Sequence, residues 1–77
     1  MNKIKYIVVE NYTESVIMFP ETLKHKDVAG NMKVVSAGFC YLPDNLNPKA
    51  ATFGKSVSLG IASREEDSLL IDRLFEE

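Results

Sequence analysis

The chain has one histidine and one cysteine, His25 and Cys40, whose side chains could do acid–base or nucleophilic chemistry. His25 lies close in sequence to Glu21 and Asp27, and a histidine paired with either carboxylate could transfer a proton near neutral pH. Cys40 would be a nucleophile only if a neighbouring base lowered the pKa of its thiol, and none adjoins it. A histidine between lysines is typical of a solvated side chain. Catalysis by either residue therefore ranks third among our hypotheses, and we expect a protein that is not an enzyme.

The sequence contains incomplete motifs for two other kinds of site, a phosphate-binding loop and a metal site. Gly54, Lys55 and Ser56 match the end of a phosphate-binding loop, but the complete pattern needs a glycine where Lys49 stands and a helix afterwards. The following residues have a strand pattern instead, so Lys55 either lies at a strand edge or extends its side chain over the helix face. One histidine and one cysteine far apart in sequence do not form a metal ligand set. We therefore predict no nucleotide loop, no metal and no cofactor.

Two segments, 34–41 and 53–61, have small side chains at nearly all of their alternate positions, and this period of two predicts strands. If the strands pair, their small residues form one flat face: Ser36, Gly38, Cys40, Gly54, Ser56, Ser58 and Gly60. Glycines inside a strand mark places where another backbone or a ligand approaches closely. We expect a second copy of the chain there, or a small polar ligand held near the serines. The alternative is the solvent side of a one-sided sheet.

Tyr12 lies in a polar turn and is the tyrosine with the best prospect of exposure. Its large apolar ring and polar tip would suit an interface anchor. The alternative is a ring that folds over the end of a hairpin.

The remaining segments supply the elements that position these residues. Strand patterns cover 3–10 and 15–19, a short helix falls between 20 and 33 with its exit at Gly30, and a turn-rich loop spans 43–48. The apolar run in the first strand is continuous, which predicts a central strand. A capping box of Ser63 and Glu66 opens a C-terminal helix whose apolar stripe consists of Leu70, Ile71, Leu74 and Phe75.

The element order is therefore ββαββα. It predicts an α+β protein with a four-stranded, mainly antiparallel sheet, and we expect both helices on one face, covering the larger residues. The length of 77 residues indicates one domain over 1–77.

Composition limits the partners. The formal charge of −2 argues against a surface for nucleic acid, and the C-terminal part of the chain carries most of the excess acid. A single cysteine excludes an internal disulfide, and no long apolar run suggests secretion or a membrane span. We expect a cytoplasmic protein without a membrane partner.

Segments 34–39 and 54–60 together resemble small uncharacterised proteins encoded in bacteriophages and prophages. The resemblance implies an accessory protein that acts by binding, against a host factor or defence system. Our leading hypothesis is a non-enzymatic binding protein that forms a homodimer and acts on a host protein. The alternative is a protein that binds a nucleotide or metabolite at a subunit boundary.

Overall fold

The computed structural model describes residues 2–76. Within them the chain forms an α+β structure of strands and two short helices. In chain order the elements are β1 (Lys3–Asn11), β2 (Thr13–Phe19), α1 (His25–Ala29), β3 (Val34–Tyr41), β4 (Ala51–Phe53), β5 (Lys55–Ser56), β6 (Ile61–Ala62) and α2 (Asp67–Leu74).

Four strands form an antiparallel sheet in the order β2-β1-β3-β4. β1 is a central strand, as its continuous apolar run predicted, and Tyr6, Ile7 and Val8 are fully buried. The β1–β2 hairpin is tight, because Asn11 pairs with Thr13 and a single residue lies between them. The predicted four-stranded antiparallel sheet is thus confirmed.

The two helices pack against opposite faces of this sheet. Tyr6 and Val8 belong to a cluster that includes Ile71 of α2, whereas Ile7 belongs to a cluster that includes Ala29 of α1. The prediction of both helices on one face was wrong. The physical reason lies in β1, whose consecutive apolar residues point alternately to the two faces, so that both faces need a cover.

The predicted fourth strand over 53–61 is not continuous. Gly54 and Gly60 have φ angles of 74° and 68°, a left-handed conformation that glycine adopts without strain and that ends an extended run. The segment therefore divides into the end of β4, the small hairpin β5–β6, and a turn in which the Gly60 amide donates to the Ser56 carbonyl at 2.9 Å. Strict alternation over these residues reflected turn glycines and not one pleated strand.

α2 begins later than the capping box predicted. The Ser63 hydroxyl donates to the Gly54 carbonyl at 2.8 Å, so it does not cap the helix. The Asp67 carboxylate instead accepts from the Arg64 amide at 2.9 Å. The acid that bonds back to the backbone is therefore Asp67, one residue after the predicted Glu66. Of the predicted apolar stripe, Leu70 and Ile71 pack inward, while Leu74 and Phe75 remain exposed.

Candidate functional site

The small residues predicted to form an open face are mostly buried within the chain itself. Ser36, Cys40 and Ser56 have no exposed surface, and Gly38 is also buried. A Cβ atom at Gly38 would lie 2.6 Å from the Phe53 carbonyl oxygen. A close approach at Gly38 was therefore predicted correctly, but the approaching backbone belongs to the same chain. These four positions offer no surface to a second copy or a ligand.

The other predicted small residues lie in the turns around β5 and β6, and they are exposed. Gly54 faces the ring of Phe39, since a Cβ there would lie 3.2 Å from that ring. The Ser58 hydroxyl accepts from the Lys26 amide at 3.2 Å, and Gly60 has open space around its Cα. They serve turn geometry and do not continue a flat face with the buried positions.

Tyr12 is the one predicted interface residue whose ring lies wholly in solvent, with an exposed fraction of 103%. It is the single residue at the tip of the β1–β2 hairpin and has a φ angle of 68°, an uncommon conformation for a bulky side chain. The alternative, a ring folded over the hairpin, was wrong.

His25 has a structural environment and is not solvated. Its side chain is 3% exposed, and Nε2–H donates to the Gly38 carbonyl at 2.8 Å. The rings of Phe19 and Phe39 meet it edge to face at centroid distances of 5.3 and 5.7 Å. The expectation of a solvated histidine was wrong, because α1 turns this side chain inward and places it between two aromatic rings.

Cys40 is held in a form that does not attack electrophiles at neutral pH. Burial raises the pKa of its thiol to about 11, and its Sγ–H donates to the Tyr41 carbonyl at 3.3 Å. Because the thiolate is the nucleophilic form, the buried thiol behaves as a small apolar group.

A polar network with a buried centre at Tyr6 and Asp67 links β1, β2 and α2, and the sequence did not predict it. The Tyr6 hydroxyl donates to Asp67 Oδ2 at 2.6 Å, and the same carboxyl group accepts from Arg64 Nε at 3.0 Å. The Arg64 guanidinium also makes two hydrogen bonds to Glu14, at 2.9 and 3.3 Å. Burial and the Asp67 hydrogen bond raise the pKa of Tyr6, and the Glu14 hydrogen bond raises the pKa of Arg64. The network joins secondary-structure elements, and its charged groups already have partners.

The open part of the sheet carries a row of aromatic rings beside lysines. We call it the aromatic-lysine face, and it consists of Lys3, Lys5, Phe39, Tyr41 and Phe53. The strand register brings them together, because Phe39 pairs with both Lys5 and Phe53, and Tyr41 pairs with Lys3. Residues directly opposite each other on paired strands share a face of the sheet.

The rings of this face are stacked and reach solvent. Phe53 lies between Phe39 and Tyr41, at centroid distances of 5.8 and 5.1 Å and with interplanar angles of 23° and 24°. Phe53 and Tyr41 are 37% and 36% exposed. Lys3 Nζ lies 5.6 Å from the Phe39 centroid, within the range of a cation–π contact.

A shallow groove of about 400 Å³ continues this face toward α1 and the β5–β6 turn. Its lining consists of Lys5, Lys24, His25, Phe39, Lys55, Val57 and Ser58. Sequence reasoning placed Phe39 and Tyr41 on a face covered by helices. They remain open because α1 is only five residues long and reaches the Ala37 end of the sheet alone. The signal that could have revealed this is the pair of lysines at alternate positions in the first strand.

A second accessible feature is the outer edge of β2. Within residues 2–76, β2 is the last strand of the main sheet and pairs on one side with β1. Its pairing with β1 is regular from Phe19 to Thr13, and residues 15–19 contain no charge and no proline. Proteins usually protect such edges with charges, prolines, bulges or short strands. The opposite edge, β4, is only three residues long, so β2 is the edge better suited to pairing.

No group of three His, Cys, Asp or Glu side chains forms a metal-binding cluster within residues 2–76. In the same part of the chain, neither helix is long and apolar enough to cross a membrane. Comparison with protein-family models, with curated proteins and with solved structures found no match to this chain.

Proposed function

We propose that this chain is a non-enzymatic binding protein whose working form is a homodimer, joined by antiparallel pairing of two β2 edges. The observation that carries the proposal is the regular, uncharged outer edge of β2 at residues 15–19. Pairing would satisfy the outward backbone groups of both copies and extend the four-stranded sheet across the two-fold axis. The sequence predicted the interface on the small-residue face, but Ser36, Gly38, Cys40 and Ser56 are buried, whereas the β2 edge is accessible.

The non-enzymatic part of the proposal is supported by the surroundings of the two reactive side chains. The His25 imidazole donates to a backbone carbonyl between two rings, and Cys40 has a thiol pKa of about 11. Both groups serve packing. The resemblance to phage and prophage accessory proteins supports a host protein as the target of the dimer.

Sedimentation velocity on the full chain tests self-association, with Ser15→Lys as the disruptive variant. Ser15 is an exposed residue of β2, and a lysine on an edge strand disfavours its pairing with another chain. We expect a dimer for the wild type and a monomer for Ser15→Lys. Asn31→Lys adds the same charge at an exposed turn position and should stay dimeric. A monomeric wild type at about 100 µM, a concentration well above a micromolar Kd, would refute the proposal.

A second candidate function is binding of a small ligand, and one groove favours it. This groove of about 690 Å³ lies at the end of β2, with Ile4, Met18 and Leu42 as its apolar part and Lys3 and Glu21 as charged groups. It would lie beside the proposed subunit boundary. Of the three serines predicted near a ligand, Ser36 and Ser56 are buried and Ser58 is exposed, so this groove is the better candidate.

A thermal-shift screen with nucleotides and common metabolites tests this candidate, because a ligand that binds the folded state raises Tm. We expect a shift that Met18→Lys abolishes. Absence of any stabilising compound at millimolar concentration would count against a small-ligand function.

A further inference from the structure

We propose that the aromatic-lysine face binds single-stranded DNA. The inference rests on other residues than the β2 edge and concerns a different surface. It therefore stands or fails independently of the homodimer.

The exposed aromatic rings of this face can stack with nucleobases. Tyr41 and Phe53 are more than one-third exposed, although they are stacked in a regular, nearly parallel row on a sheet surface. Nucleobases stack on aromatic side chains of this kind whatever their sequence, since every base presents a π-face. Phe39 continues the row and meets the His25 ring in a T-shaped contact. The rings thus form a fixed platform for bases.

The lysines of this face can bind the phosphates of the strand. Lys3 and Lys5 lie on the strand next to the rings and on the same face of the sheet, which places their ammonium groups where a sugar-phosphate backbone would run. Lys5 Nζ is oriented by a 2.8 Å hydrogen bond to the Leu23 carbonyl. Lys55 lines the adjoining groove. Glu21 is an acid beside these lysines, and its carboxylate lies 3.2 Å from Lys3 Nζ.

The acidic and basic residues lie on different sides of the molecule. A net negative charge is therefore compatible with a basic surface beside the rings. The segment 65–76, which contains α2, holds five acidic residues and one basic residue. α2 packs against the face of the sheet opposite α1, on the side away from the aromatic-lysine face. The formal charge of −2 argued against nucleic acid because it sums both sides. The local surface beside the rings is basic and complements phosphate.

Single-stranded DNA fits this face better than a duplex or single-stranded RNA does. The bases of a duplex are stacked on each other, and a sheet surface cannot reach their π-faces. The face offers ring planes for bases and ammonium groups for phosphates, while one hydroxyl, on Tyr41, is available for a ribose 2′-OH. We therefore take DNA as the source of the strand.

Fluorescence of a single-tryptophan variant tests the proposal directly, because the chain contains no tryptophan. Phe53→Trp keeps a large ring in the row, and a base that stacks on it should quench its emission. Titration with a ten-nucleotide oligo-dT at low salt should give saturable quenching, with a logarithmic salt slope of about −2 for three lysine–phosphate contacts. Tyr12→Trp is the control, since it places an exposed ring roughly 30 Å along β1 from Lys3. It should show no saturable quenching.

Anisotropy of a labelled oligo-dT then assigns binding to named side chains. Tyr41→Ala and Phe53→Ala should each weaken binding about tenfold, the effect of losing one stacked base. Lys3→Gln should weaken binding and reduce the magnitude of the salt slope by about 0.7, whereas Glu21→Gln should strengthen binding. The matched controls Tyr12→Ala and Lys33→Gln should bind as the wild type does. Thermal melts of each variant confirm folding, and Phe53→Trp remains informative if an alanine variant unfolds.

Several outcomes would overturn the proposal. They are the absence of saturable quenching at 50 mM salt, tighter binding of a duplex or of oligo-U, and equal losses in the control variants. Quenching that grows with protein concentration without DNA would show that a second copy occupies the face, and it would also overturn the proposal.

Discussion

The Tyr6 hydroxyl donates a 2.6 Å hydrogen bond to the buried carboxylate of Asp67, 61 positions away in sequence. It joins the central strand to the first turn of α2, where the same carboxylate accepts from the Arg64 amide. Burial of a carboxylate is costly unless hydrogen bonds compensate it. This contact therefore fixes where α2 begins and where it lies on the sheet.

Removing the Tyr6 hydroxyl should destabilise the chain. Tyr6→Phe leaves Asp67 short of one buried donor, and we expect the free energy of unfolding to fall by about 1–3 kcal/mol. Urea denaturation measures the change. Tyr41→Phe removes a hydroxyl from a partly exposed ring and should change stability by less than about 0.5 kcal/mol. Equal effects of the two variants would mean that the Tyr6–Asp67 hydrogen bond contributes nothing.

Burial of Cys40 should make stability fall in alkaline solution. The thiol pKa is about 11 in the folded chain, against 9.0 for an unperturbed cysteine, so the unfolded state loses its proton first. The contribution of Cys40 is complete below pH 9 and is lost as the pH rises to about 11. Urea denaturation at pH 7–10.5 should show a steeper loss for the wild type than for Cys40→Ala. Parallel curves would show that the thiol pKa does not shift on folding.

Two buried serines should respond oppositely to alanine. Among residues 2–76, Ser36 Oγ has no hydrogen-bond partner, whereas Ser56 Oγ accepts from the Leu59 amide at 3.1 Å. We expect Ser36→Ala to leave stability unchanged or raise it by up to about 1 kcal/mol, because an unpaired hydroxyl is removed from the core. Ser56→Ala should lower stability by about 1 kcal/mol. A clear loss for Ser36→Ala would contradict this assignment.

Gly38 should tolerate no side chain. An added Cβ would lie 2.6 Å from the Phe53 carbonyl oxygen and 3.1 Å from the Ser63 Cβ, so Gly38→Ala must separate β3 from β4. We expect a loss of about 3 kcal/mol in thermal or urea unfolding. Gly60→Ala meets open space but retains a φ of 68°, and should cost about 1 kcal/mol. If Gly38→Ala were the milder change, the close approach would be wrong.

Local patterns predicted the elements of this fold better than their arrangement. The β-branched run of β1 predicted a central strand, and Gly30 ends α1 with a φ of 54°, as its position suggested. The alternation at 53–61 predicted one strand and was wrong. A period of two also arises where glycines stand at turn positions that require a positive φ, as Gly54 and Gly60 do. The consecutive apolar residues of β1 did contain the information that both faces are covered.

The candidate site depended on pairing between distant segments. Lys5, Phe39 and Phe53 share a face only because β3 lies between β1 and β4, and sequence spacing does not give strand order. The predicted small-residue face failed for the same reason, since the chain's own backbone fills the space above Gly38. The exposure of Tyr12 was predicted from local information alone, a tyrosine in a polar turn, and the ring is fully exposed.

Native mass spectrometry of the gently purified wild-type chain tests the central claim most directly, because one spectrum reports subunit number and any retained ligand. We predict a species of twice the 8.6 kDa chain mass, which Ser15→Lys converts to the single-chain mass. A spectrum of monomer alone, identical for the wild type and Ser15→Lys across concentrations to about 100 µM, would contradict a homodimer joined through β2.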